Sequence, residues 1–265
     1  MNTTTLITGA SSGIGREVAR LFARDKNDLV LIARNRRKLD QLARELRGRH
    51  GVEVKVIIAD LARPEAAADI VDQLERESIQ VDVLVNNAGT QVYGLFAEAE
   101  AERLLHMIQV NMTSLTYLTR LLLPGMLDRG RGKILNVAST GSFGPGPLNA
   151  VYCASKAYVL SFSEAIAAEL AGSGVTVTAL CPGATNTAFV TRHGLENVRL
   201  FQNMMSAERV AEIGYEALMN NRPVVVAGWS NRLQVWSLQI FRPFLQMMSP
   251  AVTQRIGAYV MGPAA

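Results

Sequence analysis

Short apolar runs alternate with longer amphipathic segments along most of the chain. The runs are rich in valine, leucine and isoleucine, which is typical of strands in a parallel sheet covered on both faces. The predicted strands are Thr4 to Thr8, Leu29 to Ala33, Val52 to Ala59, Val81 to Val85, Lys133 to Ala138, Val175 to Leu180 and Pro223 to Val226. Because helical segments separate these strands, we predict an α/β fold with a seven-stranded, doubly wound parallel sheet and helices on both faces.

Length and composition favour one globular domain. At 265 residues there is room for one large α/β domain with a substantial core. A hydrophobic content of 49% with 19% charged residues is typical of globular proteins and leaves little room for disorder. We predict that residues 1–228 form the main body of the domain and that residues 229–265 form an apolar helical extension of it.

The extension carries large apolar side chains at helical spacing. They are Trp229, Leu233, Trp236, Ile240, Phe244 and Met247, with Arg232 and Arg242 among them. Pro243 and Pro250 are expected to interrupt the helix, and the segment is too polar and too broken to span a bilayer. This stripe could pack against the domain's own core or a second subunit. Alternatively, it could form a lipophilic lid or rest on a membrane surface, which tryptophan and arginine favour.

Charge, cysteines and histidines limit the possible functions. The net charge of +4 includes one dense basic group, Arg34, Arg36, Arg37 and Lys38, which is too small for a nucleic-acid surface but suits one anionic ligand. The two cysteines and the lack of a secretory leader favour a cytoplasmic location. The three histidines lack cysteine or carboxylate companions at ligand spacing, so no metal site is predicted.

A glycine-rich turn joins the first strand to the first helix. Its sequence is Thr8-Gly9-Ala10-Ser11-Ser12-Gly13-Ile14-Gly15. Glycines let a backbone approach an anion closely, and amide groups at a helix N-terminus point toward it, so the turn is predicted to cradle the phosphates of a dinucleotide. The alternative is an ordinary glycine turn. The position between a strand and a helix favours the cradle, and with it a Rossmann fold.

The second strand ends in a basic sequence, Ala33-Arg34-Asn35-Arg36-Arg37. A dinucleotide fold that prefers NAD places an acidic residue here for the ribose 2′-hydroxyl, whereas this chain has Arg34. A guanidinium suits a 2′-phosphate, so NADP(H) is predicted in preference to NAD(H). The alternative, a solvated basic start to the following helix, fits Arg36 and Arg37 better than Arg34.

Candidate binding residues also follow the other strands. They are Asp60 and Leu61, the run Asn86-Asn87-Ala88-Gly89, Ser139, and the run Pro182-Gly183-Ala184-Thr185. Asp60 would accept a hydrogen bond from an adenine amino group or would cap the next helix. The run from Asn86 to Gly89 would let the chain turn sharply under a flat ligand, and the alternative is that its asparagines satisfy backbone groups. Because ligands of doubly wound sheets bind beyond the carboxyl ends of the strands, all these residues are predicted to face one crevice.

Tyr152 and Lys156 lie at the start of an alanine-rich segment predicted to be helical from Tyr152 to Glu169, where their spacing stacks them on one face. To lower the pKa of a tyrosine from about 10 toward 7, the phenolate must be stabilised by roughly 4 kcal/mol. An ammonium about 4 Å away in a partly buried site supplies about that much. The pair suits proton transfer, although an exposed lysine at a helix start is the alternative.

Asn111 lies inside an amphipathic stretch from Glu100 to Leu127 that is predicted to be helical. Its polar amide is either a hydrogen-bonded core asparagine or a deliberate interruption of the apolar helix.

Together these motifs resemble the classical short-chain dehydrogenase/reductase family over nearly the whole chain. The run from Thr8 to Gly15 is similar to its Thr-Gly-x-x-x-Gly-x-Gly cofactor motif, and Asn86 to Gly89 to its Asn-Asn-Ala-Gly element. The residues in the order of the family's catalytic tetrad are Asn111, Ser139, Tyr152 and Lys156.

The resemblance implies a role for each of these residues. Tyr152 would donate a proton to a substrate carbonyl oxygen, or accept one in the reverse direction, and Ser139 would orient that oxygen. Lys156 would lower the pKa of Tyr152 and hold the nicotinamide ribose, and Asn111 would fix a water beside it. The implied cofactor contacts are Gly9, Ser11, Ser12, Gly13, Ile14, Gly15, Arg34, Asp60, Leu61, Asn87, Ala88, Gly89, Tyr152, Lys156, Pro182, Gly183, Thr185 and Thr187.

By this resemblance we expect an NADP(H)-dependent carbonyl reductase or alcohol dehydrogenase that forms a homodimer or homotetramer. A substrate cover is expected over about 187–206, and its apolar residues, with Tyr93, Leu95, Phe96 and Phe143 on neighbouring loops, favour a hydrophobic substrate. The apolar cover residues are Leu195, Val198, Leu200, Phe201, Met204 and Met205.

Two other functions remain as alternatives. One is a catalytically silent cofactor-binding regulator or scaffold, and the other is a nucleotide-cofactor epimerase or dehydratase. The intact tetrad argues against the first, because a pure binder needs no activated phenol. The glycine spacing argues against the second. The segment after residue 228 also distinguishes the chain from family members that reduce acyl-carrier-protein thioesters, which commonly finish near the last strand.

Overall fold

The computed structural model describes residues 3–194 and 204–247, with side chains as far as residue 240 in the second range. In chain order the strands are β1 (Thr4–Thr8), β2 (Asp28–Ala33), β3 (Val54–Ile58), β4 (Val83–Asn86), β5 (Gly132–Val137), β6 (Val175–Cys181), β7 (Thr185–Asn186), β8 (Met205–Ser206) and β9 (Val224–Val226). Seven of them form one parallel sheet in the order β3-β2-β1-β4-β5-β6-β9. The predicted seven-stranded, doubly wound sheet is confirmed.

Helices cover both faces of this sheet. In the same two ranges they are α1 (Gly13–Arg24), α2 (Arg36–His50), α3 (Ala66–Arg76), α4 (Ala101–Ile108), α5 (Ser114–Asp128), α6 (Ala150–Glu169), α7 (Ala188–Arg192), α8 (Ala207–Met219) and α9 (Trp229–Met247). One buried cluster lies between the sheet and α1, α2 and α8, and another lies between the sheet and α3 and α5. Ile7 belongs to the first cluster and its neighbour Leu6 to the second, which explains why the strands are apolar without alternation.

The long helix predicted from Glu100 to Leu127 is interrupted. Between α4 and α5 the chain forms a π-helical turn over Gln109–Thr113, and Asn111 lies inside it, almost fully buried. A π turn adds one residue to the helical repeat, and such turns occur mostly at functional sites. Both alternatives for Asn111 therefore apply, because the turn interrupts the regular helix while the amide is fully hydrogen-bonded, as described below.

The C-terminal helix α9 presents its large apolar residues to solvent. The exposed side chains are Trp229 (78%), Leu233 (55%), Trp236 (61%) and Ile240 (45%). The face toward the domain carries Asn231, Gln234, Val235 and Leu238 instead. Packing of the exposed stripe against the domain's own core is therefore wrong for these four residues, because the phase of the helix turns the other face inward.

Two further expectations concern the same helix. The backbone of α9 continues past Pro243 to Met247, so the expected interruption at this proline is wrong; a helix can continue past a proline with the loss of one backbone bond. The side chains of Phe244 and Met247, and Pro250, lie outside the described residues. Within the described ranges, none of the helices combines the length and the hydropathy that a membrane span requires.

Gly15→Ala tests the packing of the first turn. A Cβ on Gly15 would lie 2.7 Å from the carbonyl oxygen of Gly9 and against the amide of Asn87, so the substitution is expected to destabilise the fold by about 1–3 kcal/mol. Gly48→Ala is the matched control, because a Cβ there meets nothing within 4 Å and helix α2 should gain about 0.5–1 kcal/mol. Thermal unfolding measures both. Equal effects of the two substitutions would contradict the packing argument.

Candidate active site

A cavity of about 1530 Å³ opens along the carboxyl ends of the strands. Its volume exceeds the 300–1,000 Å³ typical of sites for one drug-sized ligand, so a dinucleotide and a second molecule can share it. The predicted site residues that line it are Gly9, Ser11, Ser12, Gly13, Ile14, Arg34, Asp60, Leu61, Asn87, Ala88, Gly89, Ser139, Tyr152, Lys156, Pro182, Gly183, Thr185 and Thr187. Of the predicted site residues, Gly15 and Asn111 do not line this cavity.

The glycine turn between β1 and α1 leaves its backbone open to the cavity. Gly9 has φ +66°, in the left-handed region that favours glycine, and a Cβ there would lie 2.7 Å from the amide nitrogen of Asn87. Ser12 is the N-cap of α1, yet its side chain makes no capping bond, so the first amide groups of this helix have no side-chain partner there. A close backbone approach and free amides at a helix N-terminus fit the diphosphate of a nicotinamide dinucleotide.

Asn87 holds this turn in place rather than standing free for a ligand. Its side-chain nitrogen donates to the carbonyl oxygens of Thr8 at 2.9 Å and Gly9 at 3.3 Å. The hydroxyl of Thr8 accepts from the backbone amides of Asn87 and Ala88, both at 3.0 Å. The neighbouring Asn86 is buried and donates to the side chains of Thr119 and Asn136. The alternative that the asparagines satisfy backbone groups is therefore confirmed for Asn87 and is wrong for Asn86, whose nitrogen bonds to two side chains.

Arg34 and Asp60 face each other across the adenine end of the predicted site. Their charged groups are 3.9 Å apart, and both side chains are about half exposed. Asp60 also accepts from the amide of Ala62 at 3.1 Å, so it stabilises the turn after β3 and does not cap α3, whose N-cap is Glu65. Arg34 keeps donors free for an anion, since a single contact of 3.9 Å uses little of a guanidinium.

Ser139, Tyr152 and Lys156 form one wall of the same cavity. Ser139 follows β5, and its hydroxyl accepts from the amide of Gly141 at 3.0 Å. Tyr152 lies in the first turn of α6, and Lys156 follows one turn later, with its Nζ 5.9 Å from the centre of the Tyr152 ring. The Lys156 ammonium donates to the carbonyl oxygen of Val137 at 2.8 Å.

Burial controls the titration of both groups. It raises the pKa of Tyr152 to about 12, with a hydrogen bond from Ser139 acting in the opposite direction, and it lowers the pKa of Lys156 to about 8. In this geometry the ammonium is directed at Val137 and desolvation dominates, so the lowering of the Tyr152 pKa by Lys156 stays a prediction. Tyr152 remains a protonated phenol at neutral pH, which is the form of a proton donor.

Asn111 supports the wall from behind. Its side-chain oxygen accepts from the amide of Thr90 at 2.9 Å, while its nitrogen donates to the Thr90 carbonyl at 3.0 Å and to the Ser155 hydroxyl at 3.1 Å. A Cβ on Gly89 would lie 3.5 Å from both the Asn111 oxygen and the Lys156 ammonium. Gly89 therefore lies beside both groups, and the water that Asn111 is expected to fix there stays a prediction.

Several lining residues were not predicted from the sequence. They are Thr90, Gln91, His106, Asn149, Arg192, Gln234 and Leu238. Gln91 and Asn149 are buried and hydrogen-bonded to each other, although they are far apart in the chain. No local pattern marks them, and only their position after β4 and before α6, beside predicted residues, could have suggested them.

The predicted apolar substrate surface is present only in part. Phe143 and Phe189 line the cavity, and Tyr93 packs with Phe189, Val190 and Met204. Leu95 and Phe96 are exposed at 49% and 65% and do not line the cavity, because a short 3₁₀ turn directs them to solvent. Leu195, Val198, Leu200 and Phe201 of the predicted cover lie outside the described residues.

Comparison with known proteins identifies the family. A model of the short chain dehydrogenase family matches residues 3–197. The chain belongs to this family. It is an oxidoreductase of the short-chain dehydrogenase type.

Individual relatives agree with this assignment. The chain is 39% identical over 183 residues to a very-long-chain 3-oxoacyl-CoA reductase of Anas platyrhynchos, a match that covers 67% of this chain and 58% of that protein. It is 30% identical over 223 residues to a ketoacyl reductase of Nostoc, covering 84% of this chain and 77% of the relative. A solved short-chain dehydrogenase from Sphingobium yanoikuyae in complex with NADPH is 35% identical with a TM-score of 0.83, covering 94% of this chain and 97% of that one.

Tyr152→Phe tests the assignment of the proton donor. The substitution removes only the phenol oxygen from the cavity wall, so turnover is expected to fall by about 10²–10⁴-fold while NADPH binding stays largely intact. Steady-state kinetics and NADPH fluorescence titration measure the two effects. Tyr117→Phe is the control, because the Tyr117 side chain is exposed on α5; it should change neither turnover nor NADPH binding. Turnover preserved within tenfold in Tyr152→Phe would overturn the assignment.

Proposed function

We propose that the protein is an NADP(H)-dependent oxidoreductase that interconverts a ketone or aldehyde and an alcohol, with a hydrophobic substrate. The observation that carries this proposal is one continuous cavity whose lining includes both the glycine turn after β1 and the group of Ser139, Tyr152 and Lys156. A cofactor held by the first would end beside the second.

The residues of the wall have complementary roles in this proposal. Tyr152, protonated at neutral pH, donates its proton to the carbonyl oxygen, and Ser139 orients that oxygen through its hydroxyl. Lys156 stabilises the phenolate that forms. Asn111 positions the backbone of Thr90 through two hydrogen bonds. The nicotinamide cofactor supplies the hydride when bound, or accepts it in the reverse direction.

Arg34 supports a preference for NADP(H). It lines the cavity at the end of β2, where an NAD-specific fold would carry an acidic residue, and its guanidinium is about half exposed. Arg36 and Arg37 begin helix α2 and do not line the cavity, as expected of a solvated helix start. The NADPH in the related Sphingobium yanoikuyae structure is consistent with this preference.

The lining supports a hydrophobic substrate. The cavity that Tyr152 lines is also bounded by apolar groups from four parts of the chain, namely Val110, Phe143, Pro145, Pro147, Phe189 and Leu238. The polar side chains of Gln91 and Asn149 form a hydrogen bond with each other. A ketone flanked by a long acyl chain suits such a wall, as the names of the 3-oxoacyl-CoA reductase and ketoacyl reductase relatives suggest for those proteins.

The remaining proposals concern assembly and location. We propose a homodimer or homotetramer, and the exposed stripe Trp229, Leu233, Trp236 and Ile240 supplies apolar area for such an interface. Peripheral membrane contact through the same stripe, assisted by Arg232, is the competing proposal. Sedimentation of the full chain with and without anionic vesicles separates the two. A cytoplasmic location stays a prediction.

A substrate panel tests the proposed reaction. Aldehydes, ketones, 3-oxoacyl thioesters and alcohols graded by lipophilicity are offered with NADPH or NADP⁺, and cofactor absorbance is followed. Reduction rates are expected to rise with the size of the apolar group beside the carbonyl. Binding of NADPH with no turnover of any compound would favour the silent regulator, and turnover of a nucleotide sugar would favour the epimerase or dehydratase.

Arg34→Ala tests the cofactor preference. Loss of the charge-assisted hydrogen bonds to the 2′-phosphate is expected to raise the KM for NADPH about tenfold while leaving the KM for NADH nearly unchanged. Arg37→Ala is the matched control, because this residue is exposed on α2 and does not line the cavity. An unchanged KM for NADPH, or a wild-type preference for NADH, would contradict the role given to Arg34.

A further inference from the structure

His193 connects the first turn of the substrate cover to the opposite wall of the cavity. It follows helix α7, and its Nδ1 lies 2.7 Å from the carbonyl oxygen of Phe189 on that helix. Its Nε2 lies 3.2 Å from the backbone amide of Gln91 and 3.1 Å from the hydroxyl of Thr90, both on the loop after β4. Each ring nitrogen therefore has a protein partner.

These contacts determine the protonation state of the ring. The amide of Gln91 is only a donor, so Nε2 must accept, and the carbonyl of Phe189 is only an acceptor, so Nδ1 must carry the proton. A second proton on Nε2 would oppose the Gln91 amide. The neutral Nδ1–H tautomer is thus the form that satisfies both partners.

Thr90 and Phe189, which both contact His193, each also contact a residue of the proposed active site. Thr90 is held by Asn111 through both its amide and its carbonyl. The Phe189 ring lies 4.2 Å from the His193 ring and 6.3 Å from the Tyr152 ring, measured between centroids. At the other end of α7, Thr187 caps the helix and lies against Gly13 of the phosphate turn. Helix α7 therefore spans the cavity between the cofactor turn and the loop of Thr90.

We propose that His193 is a positioning residue for the proposed reaction: in its neutral form it clamps α7 to the Thr90–Gln91 loop, and so keeps Phe189 beside Tyr152 as a wall of the substrate site. The proposal rests on the proposed function for its kinetic consequences. The clamp itself is a property of the chain and can be observed without any substrate.

The surroundings of His193 make the clamp sensitive to acid. Burial lowers its pKa below the usual 6.5, with Arg192 on its own helix and Arg103 on α4 acting in the same direction and the Phe189 carbonyl opposing them. Tyr93 and Tyr152 lie near Phe189, which the His193 ring contacts. Burial raises the pKa of both tyrosines, so neither is charged at neutral pH. Since the neutral ring is the clamping form, the clamp is complete at neutral pH and is lost as the pH falls through the lowered pKa.

Nuclear magnetic resonance of the imidazole nitrogens tests the clamp directly. The chain has three histidines, so His50→Gln and His106→Gln assign the signals of His193 by elimination. The proposal predicts the Nδ1–H tautomer and a midpoint below 6.5 in the full-length protein, with faster hydrogen exchange in residues 187–193 below that midpoint. The Nε2–H tautomer, or a midpoint at or above 6.5, would overturn it.

Substitutions of His193 test its effect on the reaction. His193→Phe keeps an aromatic ring but leaves the Gln91 amide without a partner, so kcat/KM for a ketone reduced in the substrate panel should fall on the order of tenfold, mainly through KM. His193→Gln offers an acceptor that does not titrate, so it should recover part of this loss and remove the acidic limb that His193 gives the wild-type pH profile. His50→Gln, at the end of α2, should leave both measurements unchanged.

The outcomes separate this proposal from the proposed function. A wild-type protein that reduces no ketone but shows the predicted tautomer and exchange would reject the proposed reaction and retain the clamp. Kinetics of His193→Phe within twofold of wild type, with an unchanged pH profile, would reject the positioning role even if the reaction is established. An increase in the Kd for NADPH with no change in the KM for the ketone would also reject it, because the effect would then lie at the cofactor.

Discussion

The close contact between the glycine turn and the end of β4 is the constraint on which the site depends. Asn87 bonds to the carbonyls of Thr8 and Gly9, and the space that a side chain would need at Gly9 or Gly15 is already filled. This packing fixes the turn relative to the strand that leads to Gly89 and Thr90. The parallel order of the sheet then brings the ends of β5 and β6 to the same edge, where Ser139 and Pro182 lie beside it.

Burial is the main influence on the pKa values of Tyr152 and Lys156 in this structure. Tyr152 and Lys156 share one helix face, but the ammonium is satisfied by Val137, and desolvation moves the two pKa values toward the neutral form of each group. The Tyr152 phenol therefore carries its proton at neutral pH.

Most of the fold, and the location of the site, could be predicted from the sequence. Both faces of the sheet are buried, so the strands appear as continuous apolar runs, and strand order places the residues after each strand on one edge. The π turn at Asn111, the outward phase of α9 and the pairing of Gln91 with Asn149 could not be predicted. They depend on how separate elements pack, and no local pattern records that. The same limit concealed His193, which gains partners only when α7 meets the loop after β4.

The central claim is that one cavity brings the cofactor and Tyr152 to the same carbonyl group. Deuterium transfer tests it most directly, using NADPH labelled at C4 on one face or the other and a lipophilic ketone, with the product alcohol analysed by mass spectrometry. The account predicts deuterium on the carbinol carbon from one labelled form and none from the other. The reason is that one wall of the cavity presents the substrate to only one face of the nicotinamide ring. An alcohol without deuterium from either form, or with equal deuterium from both, would contradict it.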